Sequence, residues 1–267
     1  MRLDRWIPIV ACAALFAACS SAKTNPGPPS PCPACMMSAG AVMVDPASTS
    51  TGAGGAPTTT DGGHGGGDTV TVSGDVVIVN NLGFDAAVPY AKPGTVYVYA
   101  YGTSGQELSQ PYNGTTFSIT DVSVGERWFR VLPMDTTDTV FPTYSVQNVG
   151  AAKLQLPLLD KQILASIGLD AGLALSTLDA QIVIEVSRGG KPLKGIKAAS
   201  LGAGEVVYDL GPASYSKQDG ATGDRGVIVL INMSATSITL TDTATMTTYH
   251  PVVRPDPGTA TLLGLEL

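Results

Sequence analysis

Two short stretches of this sequence carry paired carboxylates, Asp135-Thr136-Thr137-Asp138 and Asp219-Gly220-Ala221-Thr222-Gly223-Asp224. Oxygen donors at this spacing suit calcium, which gathers about six to eight oxygens, backbone carbonyls among them. Neither stretch has the alternating acids, Gly and terminal Glu of an EF-hand loop. Asx-turns explain both more simply. Asp135, Asp138, Asp219 and Asp224 are therefore calcium candidates at most, and neither metal nor cofactor is expected. A glycosidase pair on Asp135 and Asp138 would need a fixed carboxyl separation across a cleft, with one pKa raised. His250 is the one histidine after the glycine run around His64. It precedes Pro251, which pushes it into extended backbone, and no Gly-x-Ser-x-Gly elbow offers it a serine. No catalytic residue is assigned and the chain is read as a non-enzyme. An exported hydrolase using carboxylates is the alternative.

Aromatic residues give a second candidate. Tyr97, Tyr99 and Tyr101 alternate with Val96, Val98 and Ala100, and Tyr90, Tyr112 and Trp128 lie nearby in the chain. An open Tyr/Trp face stacks on sugar rings or packs a partner side chain, so Tyr97, Tyr99, Tyr101 and Trp128 are the candidate ligand-binding residues. The same stripe fits one half of a hydrophobic core. Truncating Tyr99 distinguishes the two readings, since a core ring costs stability and a surface ring costs binding. The thiols of Pro31-Cys32-Pro33-Ala34-Cys35 form a C-x-x-C. They lack the βαβ context of a redox motif, and two thiols fall short of a four-ligand zinc site. A local disulfide between Cys32 and Cys35 is expected in an oxidising compartment.

The elements that must position these residues are strands. Thr69-Val70-Thr71-Val72, Thr95 to Tyr101, Phe117 to Thr120, Arg127 to Val131, Ile182 to Val186, Val227 to Ile231 and Ser237 to Thr241 alternate or run apolar between Gly, Asn and Asp turns. That pattern predicts antiparallel β-sandwiches. Placing Asp121 over Asn232 superposes Phe117 on Ile228, Ile119 on Leu230, Ser123 on Ser234 and Phe129 on Leu240. Two related sandwiches follow from this repeat. Val206-Val207-Tyr208 reads as an open edge strand able to accept a partner strand. Leu154 to Ala180 is the helical candidate, capped by Asp160, with Leu159, Ile163 and Ile167 on one face and Gly168 at its end.

Gly190-Lys191-Pro192-Leu193-Lys194-Gly195 followed by Gly226-Val227-Ile228-Val229-Leu230-Ile231-Asn232-Met233 resembles the carboxypeptidase regulatory-like, transthyretin-like sandwich. Lys92-Pro93-Gly94 and Phe117 to Gly125 match that pattern in part. The resemblance implies an accessory module that binds or stabilises and carries no catalytic residues.

At the start of the chain, Arg2 and Arg5 precede an apolar run of 13 residues from Trp6 to Ala18. That is too short to cross a hydrocarbon core of roughly 30 Å and suits an export signal. Leu15-Phe16-Ala17-Ala18-Cys19 resembles the lipobox of bacterial lipoproteins, which implies lipid on Cys19 and, with Ser20 next, passage to the outer membrane. The periplasmic and surface faces both stay open. Ser20 to Asp68, 49 residues without Phe, Trp or Tyr, cannot bury enough apolar surface to order itself and is expected to be a disordered tether. Residues 69–150 carry three bases and seven acids, and residues 151–267 nine and eleven. A mildly acidic surface excludes nucleic acid as a partner. The expected partners are the membrane, through the anchor, and a glycan, a peptide or another protein. The organisation expected is a signal at 1–18, a lipidated tether at 19–68, sandwiches at 69–150 and 181–267, and a helical connector at 151–180. The class is all-β, transthyretin-like or Ig-like.

Overall fold

From Thr69 onward valine, threonine and isoleucine recur in most strands, and their branched Cβ favours extended backbone. Nineteen strands and one helix result among the described residues. The computed structural model describes residues 42–43, 69–101, 105–135, 137–150, 153–202, 204–211, 214–218, 220–234 and 237–267. All belong to one compact unit, Met37–Leu267. Cys19, Cys32, Cys35 and Asp219 lie outside the described residues, as do the signal and, apart from 42–43, the tether.

The strands of the first half are β1 (Val42–Met43), β2 (Thr69–Val79), β3 (Ala87–Pro89), β4 (Gly94–Ala100), β5 (Gln106–Tyr112), β6 (Phe117–Ser123) and β7 (Gly125–Pro133). Next come β8 (Val140–Phe141), β9 (Thr143–Val149), β10 (Leu154–Asp160) and the helix α1 (Lys161–Asp170). The second half has β11 (Ala180–Arg188), β12 (Lys191–Pro192), β13 (Ile196–Leu201), β14 (Glu205–Gly211) and β15 (Ser214–Ser216). It closes with β16 (Val227–Met233), β17 (Ser237–Asp242), β18 (Thr248–Tyr249) and β19 (Ala260–Glu266). The class is all-β, as the alternation predicts.

The repeat is visible in strand pairing. β6 lies antiparallel and β10 parallel to β2, as β16 and β19 lie to β11. The antiparallel run β4-β7-β9 corresponds to β13-β17-β18. Asp121 and Asn232, aligned in sequence, both adopt left-handed backbone, φ 62° and 57°. Each sits in a β-bulge. The residues between Ile119 and Val122 face one residue of β2, and those between Leu230 and Met233 face one residue of β11. Asn and Asp tolerate this conformation better than other side chains with a Cβ, so the repeat preserves the chemistry the bulge requires.

One sheet crosses both halves, in the order β15-β14-β16-β11-β19-β9-β7-β4-β5. The join is parallel, with Ala260, Thr261 and Leu262 opposite Thr143, Tyr144 and Ser145. On one face, β3-β2-β10-β8 and β6 cover the first half around Val72, Val96, Val98, Phe117, Phe129 and Leu156. In the second half, α1 and the segment around Phe84 cover that face through Leu164, Ile167, Val183, Val229 and Leu262. The opposite face carries Ile182, Ile184, Leu230 and Leu263 against Ile196, Ile238 and Leu240 of β13-β17-β18, and this core continues to Tyr99, Trp128 and Tyr144 of the first half.

Two local expectations need correcting. Leu154 to Asp160 is strand, because Leu154, Leu156 and Leu158 fill the first core while Leu159 reaches the core under the helix. The helix starts at Lys161 with Asp160 as its cap, accepting from Gln162 N–H, and runs past Gly168 to Asp170. Val206-Val207-Tyr208 is an open edge only in part: β14 pairs with β16 on one side, β15 covers its other side from Tyr208 on, and Val206 and Val207 have no strand partner there among the described residues.

Candidate functional site

Strand alternation sends Val96 and Val98 into the first core and the tyrosines to the opposite face. There the rings meet residues that the stripe itself does not announce. Tyr99 and Trp128 are buried, while Tyr97 and Tyr101 keep part of their surface. Tyr101 stacks on Trp128 at 6.3 Å and 8°, and Tyr144 of β9 meets Trp128 edge-on at 83°. The segment between β18 and β19 crosses this face. Its Arg254 guanidinium sits 4.6 Å from the Tyr99 ring centre, 5.7 Å from Trp128 and 5.6 Å from Tyr144. Arg130 lies 6.0 Å from Tyr97 and 5.3 Å from Tyr144. Such cation–π contacts strengthen as they are desolvated. Tyr144 donates its hydroxyl to Asp256 Oδ2 at 2.6 Å, and burial, reinforced by that bond, pushes its pKa upward. Trp128 Nε1 and Arg130 Nε are buried with no hydrogen-bond partner among the described residues.

Four rings read as one stacking surface are thus divided. Two are core, and two are a half-open rim. The stripe does not complete the core of its own half. Because the sheet continues into β19 and β11, both faces of β4 are covered, and the tyrosine face joins the core of the second half.

The carboxylates are held by neighbours. Exposed Asp135 accepts from Thr137 N–H and Oγ1 at 2.9 and 2.7 Å, an Asx-turn that holds its pKa below the ordinary value. Burial pushes Asp138 up, but Tyr90 O–H at 2.7 Å, Lys92 at 3.2 Å and Thr139 N–H at 2.8 Å outweigh it, and its pKa is lowered. Asp224 pairs with Lys194 at 3.0 Å on the surface. No group of three or more acidic, His or Cys side chains able to hold a metal occurs among the described residues. His250 is exposed, with Nδ1 3.3 Å from Thr239 Oγ1. Asp209, wholly buried, accepts from the N–H groups of Gly223, Arg225 and Val227 and so fixes the loop ahead of β16.

One carboxyl differs from these. Burial pushes Glu185 of β11 up to about 7, nearby Asp85 adds to the shift, and Arg225 opposes it. Sequence alone does not mark Glu185, since it stands in an apolar strand with no acidic neighbour along the chain. Arg130 and Tyr144 carry no sequence signal either. The signal for Arg254 and Asp256 is the interleaving with Pro255 and Pro257, which stiffens a polar segment that must cross something.

No protein-family model and no curated protein matches the chain. Among solved structures it is similar to the TIE protein of Bacillus anthracis, at 8% identity and TM-score 0.23, covering 74% of this chain and 34% of that one. It is similar to a streptococcal ancillary pilin at 10% identity and TM-score 0.23, covering 74% and 68%. It is also similar to the fimbrial anchor protein of Porphyromonas gingivalis at 9% identity and TM-score 0.24, covering 70% and 83%. The chain thus spans about a third of the TIE protein's length, 34%. Superpositions of this quality carry no functional weight.

Proposed function

We propose that this chain is a non-catalytic β-sandwich module of a bacterial cell envelope, held to the outer membrane by lipid on Cys19, with a structural role as a rigid body at the end of a tether. The observation that carries the reading is the sheet that runs through both halves, locked on one face by Arg254 and the buried rings of Tyr99, Trp128 and Tyr144. Covering both faces of a sheet and bridging its halves makes a stiff body. A glycosidase acid needs a raised pKa, whereas Asp135 and Asp138 are both lowered, which speaks against the hydrolase reading. Cell fractionation tests the anchoring. Cys19→Ala should move the protein from detergent-extracted membranes to the soluble envelope fraction, and retention in the membrane would overturn it.

A binding role for the same face has one observation behind it. Trp128 Nε1 and Arg130 Nε are buried donors without a partner among the described residues, beside the half-open Tyr97 and Tyr101. Donors beneath two aromatic rims suit a glycan hydroxyl or a partner's side chain. Tyr101→Ala should then weaken capture of an oligosaccharide or envelope protein by about 1–3 kcal/mol at nearly unchanged stability.

A further inference from the structure

The last strand has an edge that its neighbours leave half covered. β19 pairs with β11 along its whole length, from Gln181–Ala260 to Ser187–Glu266. On its other side β9 reaches only Ala260 to Leu262. Ala260 N–H donates to Pro142 on the β9 side, and Leu267 N–H donates to Ser187 on the β11 side. Backbone groups alternate along a strand, so the N–H and C=O of Gly264 and Glu266 point to the side that β9 has left. An open row of such groups is a template for another strand.

That edge is occupied. Val42 and Met43 pair parallel with Leu265 and Glu266 as β1, and among the described residues no other strand takes this position. They belong to Ala41-Val42-Met43-Val44, an apolar run with two β-branched residues in a stretch otherwise rich in Pro, Gly, Ser and Thr. Valine and an apolar flank suit an added strand, in which main-chain bonds supply the affinity. The 25 residues from Val44 to Asp68 reach about 80 Å when extended, enough to lead back to β2. Closing a loop of this length costs little more than closing one of half the length.

We propose that the edge of β19 at Gly264 and Glu266 is a strand-docking slot whose occupant is this chain's own Val42–Met43. Docking then divides the 49-residue stretch at Val42–Met43. Twenty-two residues, Ser20 to Ala41, separate Cys19 from the docked strand. As a coil they span roughly 25 Å, against roughly 40 Å for the full tether. The shorter reach rests on the anchoring reading. The docking does not, and its test is separate.

Amide hydrogen exchange on the complete mature protein reads the slot directly. In Val42→Gly/Met43→Ser, exchange at Glu266 should quicken by roughly tenfold or more, while Val183 and Leu262 keep their protection. Unchanged exchange at Glu266 would overturn the proposal. So would protection that rises with protein concentration, which would make a second copy the occupant. Met43→Cys/Glu266→Cys, with Cys19, Cys32 and Cys35 changed to Ser, supplies an independent reading. Facing ladder positions lie within disulfide range, so mild oxidation should cross-link the monomer. A cross-link only between copies, or none, would contradict docking in cis.

Discussion

Tyr99 is where the two uses of the aromatic stripe separate. Its ring is buried, lies under Arg254, and is tilted against Tyr144 at 5.8 Å. Tyr99→Ala should therefore cost about 3–5 kcal/mol of unfolding free energy. A loss below about 1 kcal/mol in chemical denaturation would show that the ring contributes little to the core. Glu185 makes a prediction in pH. Its folded pKa of about 7 lies above the ordinary 4.5, because burial disfavours the charge and Asp85 adds to the effect. Folding is therefore favoured when the group is protonated. That contribution is complete below about pH 4.5 and is lost as pH rises through 7. The melting temperature should fall from pH 5 to pH 8, and Glu185→Gln should flatten the fall. A profile identical in both proteins would refute the assignment. The carboxylates with lowered pKa values, Asp135, Asp138, Asp242 and Glu266, act oppositely. Their stabilisation is lost only at lower pH, as each is protonated, so the two effects occupy separate windows. The stripe itself was legible in the sequence. Its cover was not, because Arg254 arrives from more than a hundred residues away and no local pattern ties it to Tyr99.

Among the elements, the repeat is the most legible feature, and the bulges within it emerge only from the strand pairing. Asp121 and Asn232 stand at matching places in two apolar runs, and both take the left-handed backbone that such places require. Asn232 does more, since its Oδ1 accepts from Ser176 N–H at 2.7 Å and its Nδ2 donates to Ala174 at 2.8 Å. Asn232→Ala should lose about 1–3 kcal/mol through strain and orphaned backbone groups. Asp121→Gly should be nearly neutral, because glycine takes positive φ without cost. Equal losses in the two variants, measured by thermal unfolding, would mean that backbone conformation is not what these positions supply. Gly226 follows the same logic, for at φ +66° an added Cβ would lie 2.3 Å from the Val186 carbonyl oxygen. β10 was harder to see. Its leucines satisfy both a helical stripe and a strand buried on two faces, and only its pairing with β2, some eighty residues earlier, decides between them. The cap at Asp160 was readable because capping is local.

The molecule as a whole is one sheet with different covers, and that arrangement is what the sequence left out. Alternation within each half predicts two sandwiches, and the repeated pairing of β2-β6-β10 and β11-β16-β19 agrees with that pattern. The parallel join of β19 to β9 depends on contacts between residues more than a hundred positions apart, and nothing local encodes it. The join has a thermodynamic consequence. Halves that share a sheet and a core of Tyr99, Trp128, Tyr144, Ile182 and Leu263 should unfold together. Scanning calorimetry of the mature protein measures this most directly. The account predicts one transition with a calorimetric enthalpy equal to the van't Hoff enthalpy, and Tyr99→Ala should lower that single transition without splitting it. Two resolved transitions in the unmodified protein would contradict it.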